Sequence, residues 1–165
     1  LVAATNPCPC GYYGVEGSEC RCTHGQIQKY RSKFSGPVLD RIDIWQDVPA
    51  VSYKKLRQAG QEENSAVVRE RVLAAREMQH RRFSGGLNAY MDSAQVEEHC
   101  RLDRNTEIML GHAFQRLRLS ARGYQRILKV ARTIADLAGS GEISSEHVAE
   151  ALSYRSLSWE GEDYY

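Results

Sequence analysis

Apolar and polar positions change period several times along this chain, and the changes mark out its elements. Residues 1–5 form a short apolar run closed by the Asn6-Pro7 turn signal, which reads as a buried strand. Residues 7–23 are rich in Gly, Cys and Tyr and carry no helical period, so a loop is expected there. From His24 to Phe34 the chain can turn helical with Ile27, Tyr30 and Phe34 on one side, until Ser35-Gly36-Pro37 breaks it. Residues 38–41 make a second short turn. Residues 42–48 (Ile-Asp-Ile-Trp-Gln-Asp-Val) alternate apolar and polar with period two, the pattern of a half-buried strand, and Pro49 closes it.

After Pro49 the pattern changes to helices and short loops, which places a domain boundary near residue 50. Over 64–82, Val68, Val72, Ala75 and Gln79 fall on one face of a helix, and Ser84-Gly85-Gly86 ends it. Asp92 is a plausible N-cap for a short helix to about Arg101, with Gln95 placed as in a capping box. Residues 104–118 read as helical through Ile108, Met109, Ala113 and Leu117. The clearest helix covers 121–138: Ser120 caps it, Tyr124, Ile127, Leu128, Ala131, Ala135 and Ala138 form its stripe, and Gly139-Ser140-Gly141 stops it. A last helix over 145–155 turns Val148, Ala151 and Leu152 inward.

Composition adds bounds. The 165 residues suit one ordinary domain, or a small one plus part of another, and the start at Leu1 inside an apparent strand reads as a piece of a longer protein. No membrane-span or signal-peptide pattern occurs, and the balance of 22 basic and 21 acidic residues gives a net charge of +1 that selects no partner. Residues 156–165, with Glu160, Glu162 and Asp163, form an acidic tail expected to fray.

Helical, charged character without a secretory signal favours a reducing cytoplasm over a disulfide scaffold. There, Cys8-Pro9-Cys10 and Cys20-Arg21-Cys22 become a metal-site candidate, with four soft sulfurs suited to structural Zn²⁺ and no position left open for catalysis. The C-x-C-x₉-C-x-C spacing is tighter than the common C-x₂-C knuckle, so reduced thiols or disulfides remain alternatives. Cys100 stands apart as a small buried apolar residue.

Three polar residues have chemistry to offer. Asn6, at the end of the first apolar run, can hold an attacking water against a γ-phosphate, or simply form the turn before Pro7. Arg41 lies between Asp40 and Asp43. It is either a surface residue screened by those acids or an arginine finger whose planar fork suits a transferring phosphoryl group. Arg122 falls in the first turn of the best helix, where the dipole disfavours a cation by about 0.3–1 kcal/mol; it is either a tolerated surface residue or one that faces a bound anion together with the free backbone N–H groups. Arg126, Lys129 and Arg132 form a basic side of that helix that reads as solvated; Lys54, Lys55 and Arg57, or Arg81-Arg82, could touch nucleic acid.

Read in order, Val2-Ala3-Ala4-Thr5-Asn6-Pro7-Cys8-Pro9-Cys10-Gly11, Cys20-Arg21-Cys22, Ser35-Gly36-Pro37-Val38-Leu39-Asp40-Arg41-Ile42-Asp43 and the segment from Leu119-Ser120-Ala121-Arg122-Gly123-Tyr124 to Leu137 resemble the AAA+ ATPases of the magnesium-chelatase-like family, in its competence-protein branch. The resemblance covers most of residues 1–155 and is weakest over 52–100. It implies sensor 1 at Asn6, an arginine finger at Arg41 and sensor 2 at Arg122. It implies the tail of an α/β nucleotide-binding core over 1–50 and an all-helical lid over 51–155, a mainly α chain with strands near 1–5 and 42–48. It also implies a ring, hexameric in the whole protein, that uses ATP and Mg²⁺ to migrate DNA branches as a helicase in natural transformation. No G-x-x-x-x-G-K-[ST] loop occurs in the sequence, so the phosphate cradle is expected upstream and the chain alone should not hydrolyse ATP. Two other readings stay open: an ATPase subunit of a magnesium chelatase, and a zinc-stabilised module that binds nucleic acid or protein.

Overall fold

The computed structural model describes residues 1–51, 53, 57, 63–83 and 86–155. These residues fall into two compact units, one holding Leu1–Ile42 with residues 46–51, 53 and 57, the other Asp43–Trp45 with residues 63–83 and 86–155.

The first unit contains α1 (His24–Arg31) and α2 (Gly36–Leu39). Thr23 starts α1 with a capping box: its hydroxyl accepts from the Gln26 N–H while the Gln26 side chain accepts from the Thr23 N–H. Pro37 sits in the first turn of α2, where its missing N–H costs nothing. The apolar content is thin. Among the described residues only Cys8 and Ile27 are buried hydrophobics there, with Tyr30 and Phe34 half-buried and packed edge-to-face at 6.1 Å.

The second unit is an α-helical bundle of α3 (Ser65–Arg82), a 3₁₀ turn (Asn88–Tyr90), α4 (Ser93–His99), α5 (Arg104–Arg116), α6 (Ala121–Leu137) and α7 (Ser145–Ser153). Its centre is α6, packed against α7, α3, α4 and the 3₁₀ turn, while α5 packs on α7. Ile127, Leu128, Ala131 and Ala135 of α6 meet Val148 and Ala151 of α7, Leu110 of α5, Val96 of α4, Met91, Cys100 and Ile143 in one core. Each fully buried Leu or Ile there contributes about 1.5–3 kcal/mol over its exposed state. Cys100 is the small buried apolar residue expected, its Sγ 4.0 Å from the Met91 sulfur, and burial pushes its thiol up to about 11.

Caps set the helix boundaries. The Ser120 hydroxyl accepts from Gly123 N–H at 3.0 Å, and Asp92 with Gln95 completes a capping box. Helix α6 ends at Gly139, φ +69°, with Ser140 N–H on the Ala135 carbonyl and Gly139 N–H on the Asp136 carbonyl. Helix α5 closes with the same pair of bonds, Leu119 N–H to Phe114 and Arg118 N–H to Gln115, but there Arg118 takes the left-handed position at φ +47°.

The structure is mainly helical, as the pattern predicts, with three corrections in detail. Among the described residues no strand forms; residues 1–5 and 42–48 are extended or bent without a ladder. A strand exists only through a neighbour's N–H and C=O groups, and neither segment finds a partner strand. Leu1 and Val2 are fully exposed, and the Trp45 N–H bonds instead to the Tyr154 carbonyl. Among the described residues the one ladder-like contact is an isolated parallel bridge between Leu102 and Ile143. On α3 only the C-terminal half is covered: Ala75 and Gln79 are buried, whereas Val68 and Val72 are exposed. On α5 the inward face runs through Thr106 and Leu110, leaving Ile108 and Leu117 outside.

Candidate functional site

In the first unit the chain doubles back so that two Cys-x-Cys turns converge. The Cys8 Sγ lies 3.4 Å from that of Cys10 and 3.8 Å from that of Cys20, Cys10 and Cys20 are 3.5 Å apart, and one ligand atom from each of Cys8, Cys10, Cys20 and Cys22 falls within 4.8 Å of the others. A disulfide requires about 2.0 Å, so all four are thiols, as is Cys100. Four sulfurs around one tetrahedral ion at about 2.3 Å would stand about 3.8 Å apart, close to the spacing found. Gly11 makes the first turn possible: at φ +84° its N–H returns to the Cys8 carbonyl at 3.0 Å.

The electrostatics fit a cation. Backbone N–H groups of Tyr12 and Arg21 point at Cys10 and bring its thiol down to about 6. Burial, then the neighbouring Cys10 and Cys8 sulfurs, push Cys22 up to about 12 against a backbone N–H of Cys10. Four thiols this close cannot all ionise unaided; a divalent ion removes the conflict. The cluster is a possible metal site, closed by four protein ligands.

Asn6 ends the extended segment just before this loop. It is exposed, and its carboxamide lies beside the Gly11 turn, 3.7 Å from where a side chain at Gly11 would begin. The neighbouring Thr5 hydroxyl is 2.9 Å from that of Tyr30. Arg41 follows α2, is exposed, and donates through Nη1 to the Pro37 carbonyl at 3.0 Å. Among the described residues it shares no hydrogen bond or ion pair with Asn6 or the cysteines, and Asp43 pairs with Arg126 instead.

In the second unit Arg122 occupies the first turn of α6 and is exposed. The other three cations of that helix are not the solvated stripe expected from the sequence. Arg126 pairs with Asp43, Lys129 donates to the Met91 carbonyl, and Arg132 is 2% exposed. Arg132 donates to Asp136 and to the carbonyls of Ser140 and Gly141. Asp136, with no exposed side chain, also takes Arg82 of α3 as a two-pronged pair and the Asn88 amide at 2.7 Å. Arg82 is therefore a brace, not a nucleic-acid contact, while Arg81 pairs with Glu77 at the surface. Of the remaining basic candidates, Arg57 is exposed; Lys54 and Lys55 lie outside the described residues. The i,i+4 spacing of Arg132 and Asp136 was the available sequence signal for this network.

Comparison with known proteins follows this two-part layout. Residues 62–155 match the family model described as magnesium chelatase, subunit ChlI C-terminal. The chain belongs to the magnesium chelatase ChlI family. Residues 1–56 match the companion ChlI model. Within the family, the chain is 46% identical over 158 residues to the competence protein ComM of Haemophilus influenzae, covering 95% of the chain and 30% of that protein. It is 42% identical to the uncharacterized protein YifB of Escherichia coli, covering 95% of the chain and 31% of YifB. The chain thus spans about a third of the length of these relatives. Among the described residues no helix is long and apolar enough to cross a membrane.

Proposed function

We propose that this chain belongs to an ATP-driven ring motor that works on DNA, a helicase for branch migration in natural transformation. Residues 1–50 are the end of its nucleotide-binding core and residues 51–155 its lid. The observation that carries the reading is the isolation of Arg122. Among the four cations of α6 it alone has no side-chain or carbonyl partner among the described residues, at a helix start where a lone cation is unfavourable. A phosphate reverses that sign, because the helix N-terminus and the guanidinium then attract the same group.

In this reading ATP and Mg²⁺ are held by parts of the whole protein outside these residues, whose sequence contains no phosphate-cradling P-loop. Asn6 orients the attacking water without adding charge. Arg122 senses the γ-phosphate. Arg41, whose guanidinium donates to the Pro37 carbonyl, reaches the nucleotide of a neighbouring subunit in a hexameric ring. Cys8, Cys10, Cys20 and Cys22 hold a structural Zn²⁺ that fixes the backbone leading away from Asn6.

The likeness to a protein named for competence supports DNA as the substrate. The ChlI family itself supports the second reading, an ATPase subunit that drives Mg²⁺ insertion into a porphyrin. Assaying the intact protein for ATP-dependent unwinding of branched DNA and for porphyrin metallation separates the two: unwinding without metallation is expected, and the reverse overturns the proposal. Within assembled rings, Arg41→Ala should lower ATP turnover about a thousandfold or more, with assembly retained. Normal turnover in such rings would remove the finger role.

A further inference from the structure

A groove on the four-cysteine unit runs from Cys10 and Cys22, two of the candidate metal ligands, along α1. It is an open groove of about 680 Å³, lined beside those two cysteines by Arg21, Lys29, Tyr30 and Lys33, with no carboxylate on its wall. Helix α1 has no acidic residue in its eight positions. Lys29 stands in the last turn of α1 and Lys33 in the turn that follows Arg31, and both line the groove. Arg21 stands between Cys20 and Cys22, so a metal on those cysteines would also fix the backbone that carries this guanidinium. Among the described residues none of these three cations joins an ion pair. The Tyr30 ring is held by its hydroxyl's contact with Thr5 and faces the Lys33 ammonium at 5.8 Å.

We propose that this groove takes the sugar–phosphate backbone of single-stranded DNA. Lys29 and Lys33 meet neighbouring phosphates, Arg21 meets a flanking phosphate, and Tyr30 offers an aromatic wall for a base. A track of unpaired cations beside a fixed aromatic ring is what strand binding without sequence preference requires. Counter-charge for the metal does not account for the groove, because a divalent ion on four thiolates leaves a charge of minus two and the three cations exceed it. The proposal deepens the reading of a DNA motor and rests on it.

The test uses the intact protein and a fluorescein-labelled oligo-dT strand, with anisotropy followed across a salt series. Arg21→Gln, Lys29→Gln and Lys33→Gln together should weaken binding by about ten- to a hundredfold at 0.15 M salt and flatten the log–log salt slope by about two. Metal content, ring assembly and DNA-independent ATP turnover should stay at the wild-type level. Wild-type affinity and slope in the metal-loaded triple variant would overturn the groove while leaving the motor reading intact. Loss of metal in that variant would make the cations counter-charge, and loss of assembly with DNA binding retained would put another subunit in the groove; either overturns the proposal. A wild-type protein that binds no strand would defeat the DNA reading and this inference together.

Discussion

The two units of this chain solve the problem of holding a fold in opposite ways. The helical unit buries one continuous apolar core and closes it with a polar network at Asp136, while the cysteine unit, among its described residues, buries only the hydrophobics Cys8 and Ile27. Burial on that scale cannot offset the entropy of ordering some forty residues, at about 1–2 kcal/mol each for the backbone alone. What the cysteine unit has instead is four converging sulfurs and three glycines at positive φ, Gly11, Gly14 and Gly17, which let a loop fold tightly without a core. Metal chemistry should therefore govern one unit and packing the other.

The largest expected effect separates them most sharply. Cys10→Ser with Cys22→Ser, or strong chelation of the wild type, should remove one equivalent of zinc and collapse protection in the cysteine unit, while amide exchange in α6 and α7 stays slow. Structural zinc is worth about 10–16 kcal/mol to zinc-finger peptides, so the loss should be complete. Retained protection across residues 8–34 without metal would break the comparison. Acid should act in the same direction, because protons compete for the thiolates and release the ion as pH falls.

Next in size is Asp136→Ala. It leaves Arg82 and Arg132 without their carboxylate inside the helical unit, which should cost about 3–5 kcal/mol in urea unfolding and leave zinc content unchanged. The smallest effect sharpens the comparison within the helical unit. Helices α5 and α6 end in the same hydrogen-bond pattern, but the left-handed position is Gly139 in one and Arg118 in the other. Arg118→Gly should gain about 1 kcal/mol by removing the Cβ penalty, read as a rise in Tm. A loss would mean that the Arg118 side chain makes a contact worth more than the backbone strain.

Local features of this architecture were legible and distant ones were not. The caps at Ser120 and Asp92, the stop at Gly139 and the core face of α6 follow from spacing and residue type, because each depends on atoms within a few positions. The four cysteines declared a possible metal site by type and number, and the fold brings their sulfurs together. The Asp136 network was only partly legible: the i,i+4 spacing pairs Arg132 with Asp136, but Arg82 lies 54 positions away and nothing local marks Arg132 as buried. The strand patterns at 1–5 and 42–48 failed for the complementary reason: alternation describes a surface that a strand could present, but pairing needs a neighbour. At the candidate site the residue types of Asn6, Arg41 and Arg122 were readable, and the exposure of all three could be seen only in the fold.

Helix α6 carries the most direct test, because its arginines divide between the two tasks. Arg122→Ala and Arg132→Ala should be compared in the intact protein by ATP turnover and by urea unfolding. Arg122→Ala should cut turnover by at least about a hundredfold while shifting stability by less than about 0.5 kcal/mol, and Arg132→Ala should destabilise the helical unit first. Unchanged ATP turnover in a folded, assembled Arg122→Ala protein would contradict the nucleotide role proposed for this chain.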